Sequence, residues 1–101
     1  MRKIDLTSYT VEGEHTFDVR ASLVAVLFNE EKLDGRELIR RDELARKVEA
    51  WSDNTLLLEE SDWKKFERGL NASDLKPHGR SVVEFVKRVL DAPEVDVAER
   101  T

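Results

Sequence analysis

Apolar and polar residues alternate near the start of the chain. Tyr9 and Val11, and then Phe17 and Val19, all have odd numbers, and the residues EGEH at 12–15 lie between the two pairs. A period of two is typical of a strand with one buried face, and the glycine in the intervening segment can adopt the positive φ angle of a tight turn. The pattern therefore predicts a β-hairpin. The apolar residues in front of its first strand do not continue this pattern.

Those preceding apolar residues, Ile4 and Leu6, have the opposite parity. A residue added to one strand shifts every later side chain to the other face. Two interpretations follow: a β-bulge near Thr7 and Ser8, or a separate N-terminal arm.

Two segments with helical spacing come next. Asp18 is a plausible N-cap for the first, because its side chain can accept a hydrogen bond from the first helical turn. The apolar residues of this first helix are Leu23, Val24, Leu27 and Phe28. The second helix covers DGRELIRRDELARKVEAW at 34–51, and its apolar stripe is Leu38, Leu44, Ala45, Val48 and Trp51.

The other face of this second helix carries acids that precede bases by four residues. The pairs are Glu37 with Arg41, Asp42 with Arg46, and Glu43 with Lys47. Such pairs stabilise a helix by a few tenths of a kcal/mol each (about 0.2–0.5). We interpret this face as solvated.

The segment TLLLEESDWKKFERGLN at 55–71 predicts a strand followed by a helix. We place the strand at 55–59 and the helix from 62 to about 71, with Ser61 and Asp62 as its start. Trp63, Phe66 and Leu70 then form a core-facing stripe. Gly69 should weaken this helix near its end.

The sequence SVVE at 81–84 predicts the start of the last helix. Ser81 and Glu84 match a capping box, in which each side chain bonds the other residue's free backbone N–H. Pro93 ends this helix, and the alternation in EVDV predicts a possible final strand at 94–97. The buried face is predicted to be Val82, Phe85, Val86, Val89 and Leu90.

Together these elements predict an α+β fold in one compact domain, 1–101. It has an N-terminal β-hairpin and short additional strands at 55–59 and possibly 94–97, packed by about four helices. Because an isolated hairpin is marginally stable in water, helices must cover its apolar face.

Composition limits the chemistry of the chain. It has no cysteine and two histidines, His15 and His78, which are 63 positions apart and offer no spaced set of metal ligands. There is no glycine-rich phosphate loop and no nucleophile elbow. We therefore expect no enzymatic activity, no metal and no cofactor. The longest apolar run, LVAVLF at 23–28, is too short to cross a bilayer, and no secretory signal is evident, so the expected location is the cytoplasm.

Charge is unevenly distributed. The net charge is −5, but the segment 63–90 is rich in lysine and arginine. Basic groups next to aromatic residues can bind nucleic acid, although Trp63 and Phe66 share the core stripe. The residues that would contact nucleic acid in this alternative interpretation are Lys64, Lys65, Arg68, Lys76, Arg80, Lys87 and Arg88.

Protein binding is the leading interpretation. In the strand at 55–59, Leu57 points away from Leu56 and Leu58, so both faces of the strand would be apolar and Leu57 needs cover. That cover could come from the chain's own helices or from a second copy, and we predict self-association or a protein partner at this strand. Lys64, Lys65 and Arg68 would orient the partner electrostatically.

The chain as a whole resembles small accessory proteins of tailed bacteriophages and prophages. The resemblance lies in the succession of KIDLTSYTV, FDVRASLVAVLF, DGRELIRRDELARKVE, LLLEESDWKKFERGL and EFVKRVLDAPEVDV. It implies a helper role: assisting virion assembly, forming a minor structural component, or binding a host protein in the host cytoplasm. It transfers no site residues to this chain.

Overall fold

A computed structural model gives the fold of residues 1–11 and 15–95, with the backbone alone at 76–78. The strands are β1 (Arg2–Asp5), β2 (Tyr9–Val11), β3 (His15–Phe17) and β4 (Thr55–Leu58). The helices are α1 (Val19–Val26), α2 (Gly35–Ala50), α3 (Glu60–Ala72) and α4 (Val83–Leu90), with 3₁₀ turns over Lys76–Val82 before α4. The α+β class is confirmed. None of the helices in these ranges is long and apolar enough to cross a membrane.

The N-terminal arm forms a strand of its own. β1 pairs antiparallel with β4, and Ile4 lies opposite Leu56. Ile4, Leu56 and Leu58 are fully buried, so this face of the sheet forms part of the core. The opposite parity of Ile4 therefore reflects a second sheet that is formed by distant parts of the chain.

The C-terminal end of the described chain extends this sheet by a short ladder. Arg2 bridges Glu94, and the backbone N–H of Val95 donates to the carbonyl of Met1 at 2.7 Å. The final strand predicted at 94–97 is thus reduced to one bridge at Glu94, and residues 96–97 lie outside the described residues.

The hairpin is confirmed, but it is shorter than predicted. β2 pairs with β3, and Tyr9 lies opposite Phe17. Of the turn predicted at 12–15, His15 belongs to β3, and residues 12–14 fall outside the described residues. Val19 is wrong as a strand residue, because Asp18 ends the strand by capping α1. The Asp18 carboxylate accepts a hydrogen bond from the N–H of Ala21 at 3.0 Å, and Val19 is fully buried in the first turn.

Three predictions on the first two helices are wrong. Phe28 and Leu38 were expected on the apolar stripes but are 41% and 48% exposed. Arg41 was expected on the solvated face of α2 and is fully buried near the end of α1. Its guanidinium bonds the carbonyl of Leu27 at 2.8 Å, Glu37 at 2.8 Å and Glu30 at 3.2 Å. A buried arginine is stable only when its donors are paired in this way.

The other ion pairs of α2 follow the expected pattern in part. Arg46 pairs with Asp42 at 3.0 Å on the exposed face, as predicted. Lys47 lies with its Nζ 5.6 Å from the centre of the Trp51 ring instead of pairing with Glu43.

The helix α3 begins earlier than predicted and packs closely against α1. Its N-cap is Glu59 and its first residue is Glu60, so Ser61 is not the cap. Trp63, Phe66 and Leu70 are buried as expected. Gly69 is also buried, and a Cβ there would lie 1.9 Å from the carbonyl oxygen of Val26. Gly69 therefore permits the contact between α1 and α3 and is more than a weak position in a helix.

The capping box predicted for α4 is wrong. The N-cap is Val82 rather than Ser81, and it makes no side-chain cap hydrogen bond. Glu84 pairs with Arg88 at 2.9 Å. The cap is supplied by the hairpin, because the Tyr9 hydroxyl accepts a hydrogen bond from the N–H of Phe85 at 3.1 Å and donates to the carbonyl of Ser81 at 2.7 Å.

We expect Tyr9→Phe to lower the free energy of unfolding by about 1–2 kcal/mol, because two hydrogen bonds are lost while the ring stays. The Tyr9 ring stacks on Phe17 with centroids 5.0 Å apart, and this contact should survive. Desolvation raises the pKa of the Tyr9 hydroxyl. The hydroxyl therefore stays protonated at neutral pH and can donate to the carbonyl of Ser81. Urea unfolding followed by circular dichroism measures the loss. An unchanged midpoint would show that the hydroxyl is not the cap of α4.

Candidate functional site

The described residues form a groove of about 380 Å³. It lies between α1, the end of α3 and the beginning of α4. Small-ligand sites in proteins have volumes of roughly 300–1,000 Å³, so the groove can hold a side chain or a small molecule. Its floor consists of apolar residues that are buried or half-buried: Phe17, Val26, Leu75, Val82 and Phe85.

Two features of the fold hold this floor in place. The contact between Gly69 and Val26 fixes the spacing of α3 and α1. Phe17 lies 5.4 Å from Phe85, centroid to centroid, and Tyr9 ties the hairpin to the start of α4. The groove therefore forms where three elements distant in sequence are fixed to one another.

The rim of the groove is polar and rich in hydrogen-bond acceptors. Ser22, Asn29, Ser73 and Asp74 all line it. The Asn29 side chain donates to the Ser73 hydroxyl at 2.5 Å, and that hydroxyl donates to the carbonyl of Gly69 at 2.8 Å. These bonds direct the amide hydrogens of Asn29 towards Ser73, and the Asn29 carbonyl oxygen remains as an acceptor. Two exposed alanines, Ala25 and Ala72, complete the rim.

Two features of the described residues favour a cation at the groove. Among the described lining residues Asp74 is acidic and none is basic, and Asp74 also takes part in a contact within the chain. The rim includes the C-terminal end of α3, which bears a partial negative charge and has no basic residue in its last turn. A ligand with a cationic group next to an apolar body would match this arrangement.

Leu57, the predicted partner-binding residue, lies outside this groove. It is half-buried on the outer face of β4, opposite Lys3 in β1. The free edge of β4 is also obstructed at Thr55. The carbonyl of Thr55 accepts a hydrogen bond from the Trp51 indole at 2.8 Å, and the N–H of Thr55 donates to the Asp53 carboxylate at 3.3 Å. Obstruction of this kind discourages strand addition. Partner binding at Leu57 stays a prediction without added support from the geometry.

The predicted orienting cations divide into two groups. Lys64 and Arg68 are exposed on the outer face of α3, one turn apart. Lys65 is 17% exposed, and its Nζ lies 3.9 Å from Glu37 on α2. Lys65 therefore helps to bind α3 to α2, while the other two remain accessible.

The set predicted for nucleic-acid contacts is also divided. Arg88 is 17% exposed: it pairs with Glu84, lies over the Tyr9 ring and donates to the carbonyl of Thr7 at 2.5 Å. Arg80 and Lys87 are exposed, and the side chain of Lys76 lies outside the described residues. Nucleic-acid binding stays a prediction, but Arg88 has a structural position that limits its availability to phosphate.

Metal binding has no support from the geometry. Within residues 1–11 and 15–95, no three histidine, aspartate or glutamate side chains are grouped as metal ligands. The pKa of Glu37 is lowered by the hydrogen bond from Arg41, despite partial burial, and that of Glu60 by the hydrogen bond from Arg2. These two carboxylates are therefore stabilised as ions in pairs within the fold.

Sequence reasoning missed the groove. Ser22 and Ala25 lie at helical spacing on α1, and Asn29 follows four residues later, just past the end of the helix. Such a line of small and polar residues beside an apolar stripe is the signal that could have indicated a shallow surface. The partners of α1 across the groove, Ser73 and Val82, depend on tertiary packing and had no local signal.

Comparison of the chain with protein-family models, with curated proteins and with solved structures gave no match.

Proposed function

We propose that this protein is a non-enzymatic protein-interaction module that holds an apolar side chain of a partner protein in the groove between α1, α3 and α4. The observation that carries the proposal is the groove itself, with its volume of about 380 Å³ and its apolar floor. Val26, Val82 and Phe85 are at most 7% exposed, so they provide a fixed surface for an inserted side chain. Apolar anchors in such pockets supply much of the affinity at protein interfaces.

The charge of the groove defines the chemistry of the partner segment. The occupant is a large apolar residue, such as phenylalanine or leucine, with lysine or arginine beside it. The apolar side chain contacts the floor, and the cation lies near Asp74 and the end of α3. The net charge of −5 favours approach of a basic segment.

Hydrogen bonds between separate elements of the fold support the same role. Arginine side chains connect separate elements through backbone carbonyls: Arg2 bonds Ala92 at 2.8 Å, Arg20 bonds Trp51 at 2.7 Å, and Arg41 bonds Leu27 at 2.8 Å. Binding to a surface that is already ordered costs less conformational entropy than binding to a mobile one. In an accessory protein of a phage, the partner would be a virion or host protein.

A substitution that fills the groove tests the proposal. Ala25 is exposed on α1 and lines the groove, so Ala25→Trp should occupy the space of the inserted side chain. The probe is a fluorescein-labelled glycine–serine peptide with one phenylalanine between two lysines, and fluorescence anisotropy measures its affinity. We expect Ala25→Trp to weaken binding about tenfold or more, a loss of about 1.4 kcal/mol.

Ala21→Trp is the matched control. Ala21 is exposed one turn earlier on the same helix and does not line the groove. The two variants lose similar helix propensity, so a difference between them reports on the groove. Equal binding by both variants and the wild type, or no binding by the wild type, would refute the proposed site.

A further inference from the structure

The exposed face of α2 is the strongest feature that the proposed function does not use. Ile39 is 60% exposed, the largest value among the large apolar side chains described, and Leu38 beside it is 48% exposed. Both lie in the first half of α2, outside the core cluster. Two adjacent exposed apolar residues in a regular helix indicate a contact surface when charged residues surround them.

The charges around Ile39 have an unusual arrangement. Arg36 precedes it by three residues and Glu43 follows it by four, so all three lie along one line of the helix surface. Neighbouring charges of α2 are paired within the helix, as in Arg40 with Glu37 and Arg46 with Asp42. Among the ion pairs of the described residues, neither Arg36 nor Glu43 takes part. They are too far apart to pair with each other, since seven residues of helix rise by roughly 10 Å.

We infer that this face of α2 binds a second copy of the chain, with the two α2 helices antiparallel about a two-fold axis near Ile39. In that arrangement each Ile39 packs against Ile39 of the other copy. Arg36 lies opposite Glu43 of the second copy, and the same pair forms again on the other side of the axis. Two reciprocal ion pairs then flank an apolar centre, so the surface is complementary to itself.

Gly35 is consistent with a close approach of the two helices. It lies in the first turn of α2, and a Cβ built there would meet nothing within 4 Å. The backbone of α2 is therefore accessible at Gly35, next to Arg36 at the N-terminal end of the proposed contact. This surface is separate from the groove, so the inference stands independently of the proposed function.

Sedimentation equilibrium of the full chain tests the inference. We expect a reversible monomer–dimer equilibrium, and Ile39→Lys should raise the dimer dissociation constant at least about tenfold by placing two lysines at the axis. Because Ile39 is largely exposed, this variant should fold, which circular dichroism confirms. A chain that stays monomeric at millimolar concentration would overturn the inference, as would a dimer that Ile39→Lys leaves intact.

Charge reversal identifies the register. Arg36→Glu alone and Glu43→Arg alone each place like charges in contact twice, so each should weaken the dimer. The double variant Arg36→Glu/Glu43→Arg restores both pairs and should regain most of the wild-type affinity. A double variant as weak as the single variants would exclude this antiparallel arrangement.

Discussion

Gly69→Ala should lower the free energy of unfolding by about 3 kcal/mol, since overpacking of a tight contact costs roughly 1–3 kcal/mol and backbone leaves little room to adjust. The added Cβ would lie 1.9 Å from the carbonyl oxygen of Val26 and 2.8 Å from its carbon. Both atoms belong to the backbone of α1, so a rotamer change cannot relieve the contact. The two helices must separate, and the floor of the groove must change with them.

The matched control for this variant is Gly35→Ala. Gly35 begins α2, and a Cβ there would meet nothing within 4 Å. Alanine is the better helix former by about 1 kcal/mol at interior positions, so at concentrations where the chain is monomeric this variant should equal or slightly exceed the wild type in stability. Thermal unfolding compares the two, with a decrease of roughly 4–8 °C per kcal/mol lost for a domain of this size. Similar melting temperatures for both variants would contradict the close approach of α1 and α3.

Arg41→Met should cost about 3 kcal/mol, because removing one partner from a buried ion pair leaves the others uncompensated. Glu30 and Glu37, each 22% exposed, would lie together without their shared cation. The carbonyl of Leu27 would also lose its donor. The methionine keeps an apolar stem of similar length, so the loss measures mainly the charge and its hydrogen bonds.

Arg46→Met is the control for Arg41→Met. Arg46 makes an ion pair of the same spacing with Asp42, but the two side chains are 77% and 55% exposed. An exposed pair of this kind contributes about 0–1 kcal/mol, so the control should stay close to the wild type. If the two variants lost equal stability in urea, Arg41 would not be the buried cation of the account. Neutralising both carboxylates in Arg41→Met, with Glu30→Gln and Glu37→Gln, should recover part of the loss.

The same cluster predicts how stability depends on pH. The hydrogen bond from Arg41 holds the pKa of Glu37 below its ordinary value of 4.5. A carboxylate with a lowered pKa in the folded state contributes stability above its unfolded pKa, and this contribution is lost as pH falls through the folded value. The wild type should therefore lose stability as the pH is lowered below about 4.5, and Arg41→Met should lose less over the same range.

The sequence predicts the elements whose signals are local. The hairpin at Tyr9 and Phe17, the Asp18 cap and the buried stripe of Trp63, Phe66 and Leu70 all follow from spacing within a few residues. The predictions failed where a distant residue replaced a local one. Tyr9 caps α4 from 76 residues away and displaces the capping box at Ser81. Arg41 is buried because it bonds Leu27 and Glu30, which lie 14 and 11 residues before it.

The candidate sites were less predictable for the same reason. Leu57 faces away from Leu56 and Leu58 as predicted, but its half-buried position opposite Lys3 depends on β1, which the strand alone does not indicate. The groove needs α1, the end of α3 and the start of α4 together. No single segment of the sequence contains all the residues that line the groove.

The most direct test of the proposed groove is an NMR titration of the wild-type chain labelled with ¹⁵N. The two probes are unlabelled glycine–serine peptides with one phenylalanine, flanked in one by lysines and in the other by glutamates. We expect the lysine peptide to shift the backbone amides of Ser22, Asn29 and Ser73, while Thr55 and Leu57 stay unchanged. The glutamate peptide should cause much smaller shifts at the same concentrations. Equal shifts with both peptides, or shifts confined to residues outside the groove, would contradict the account.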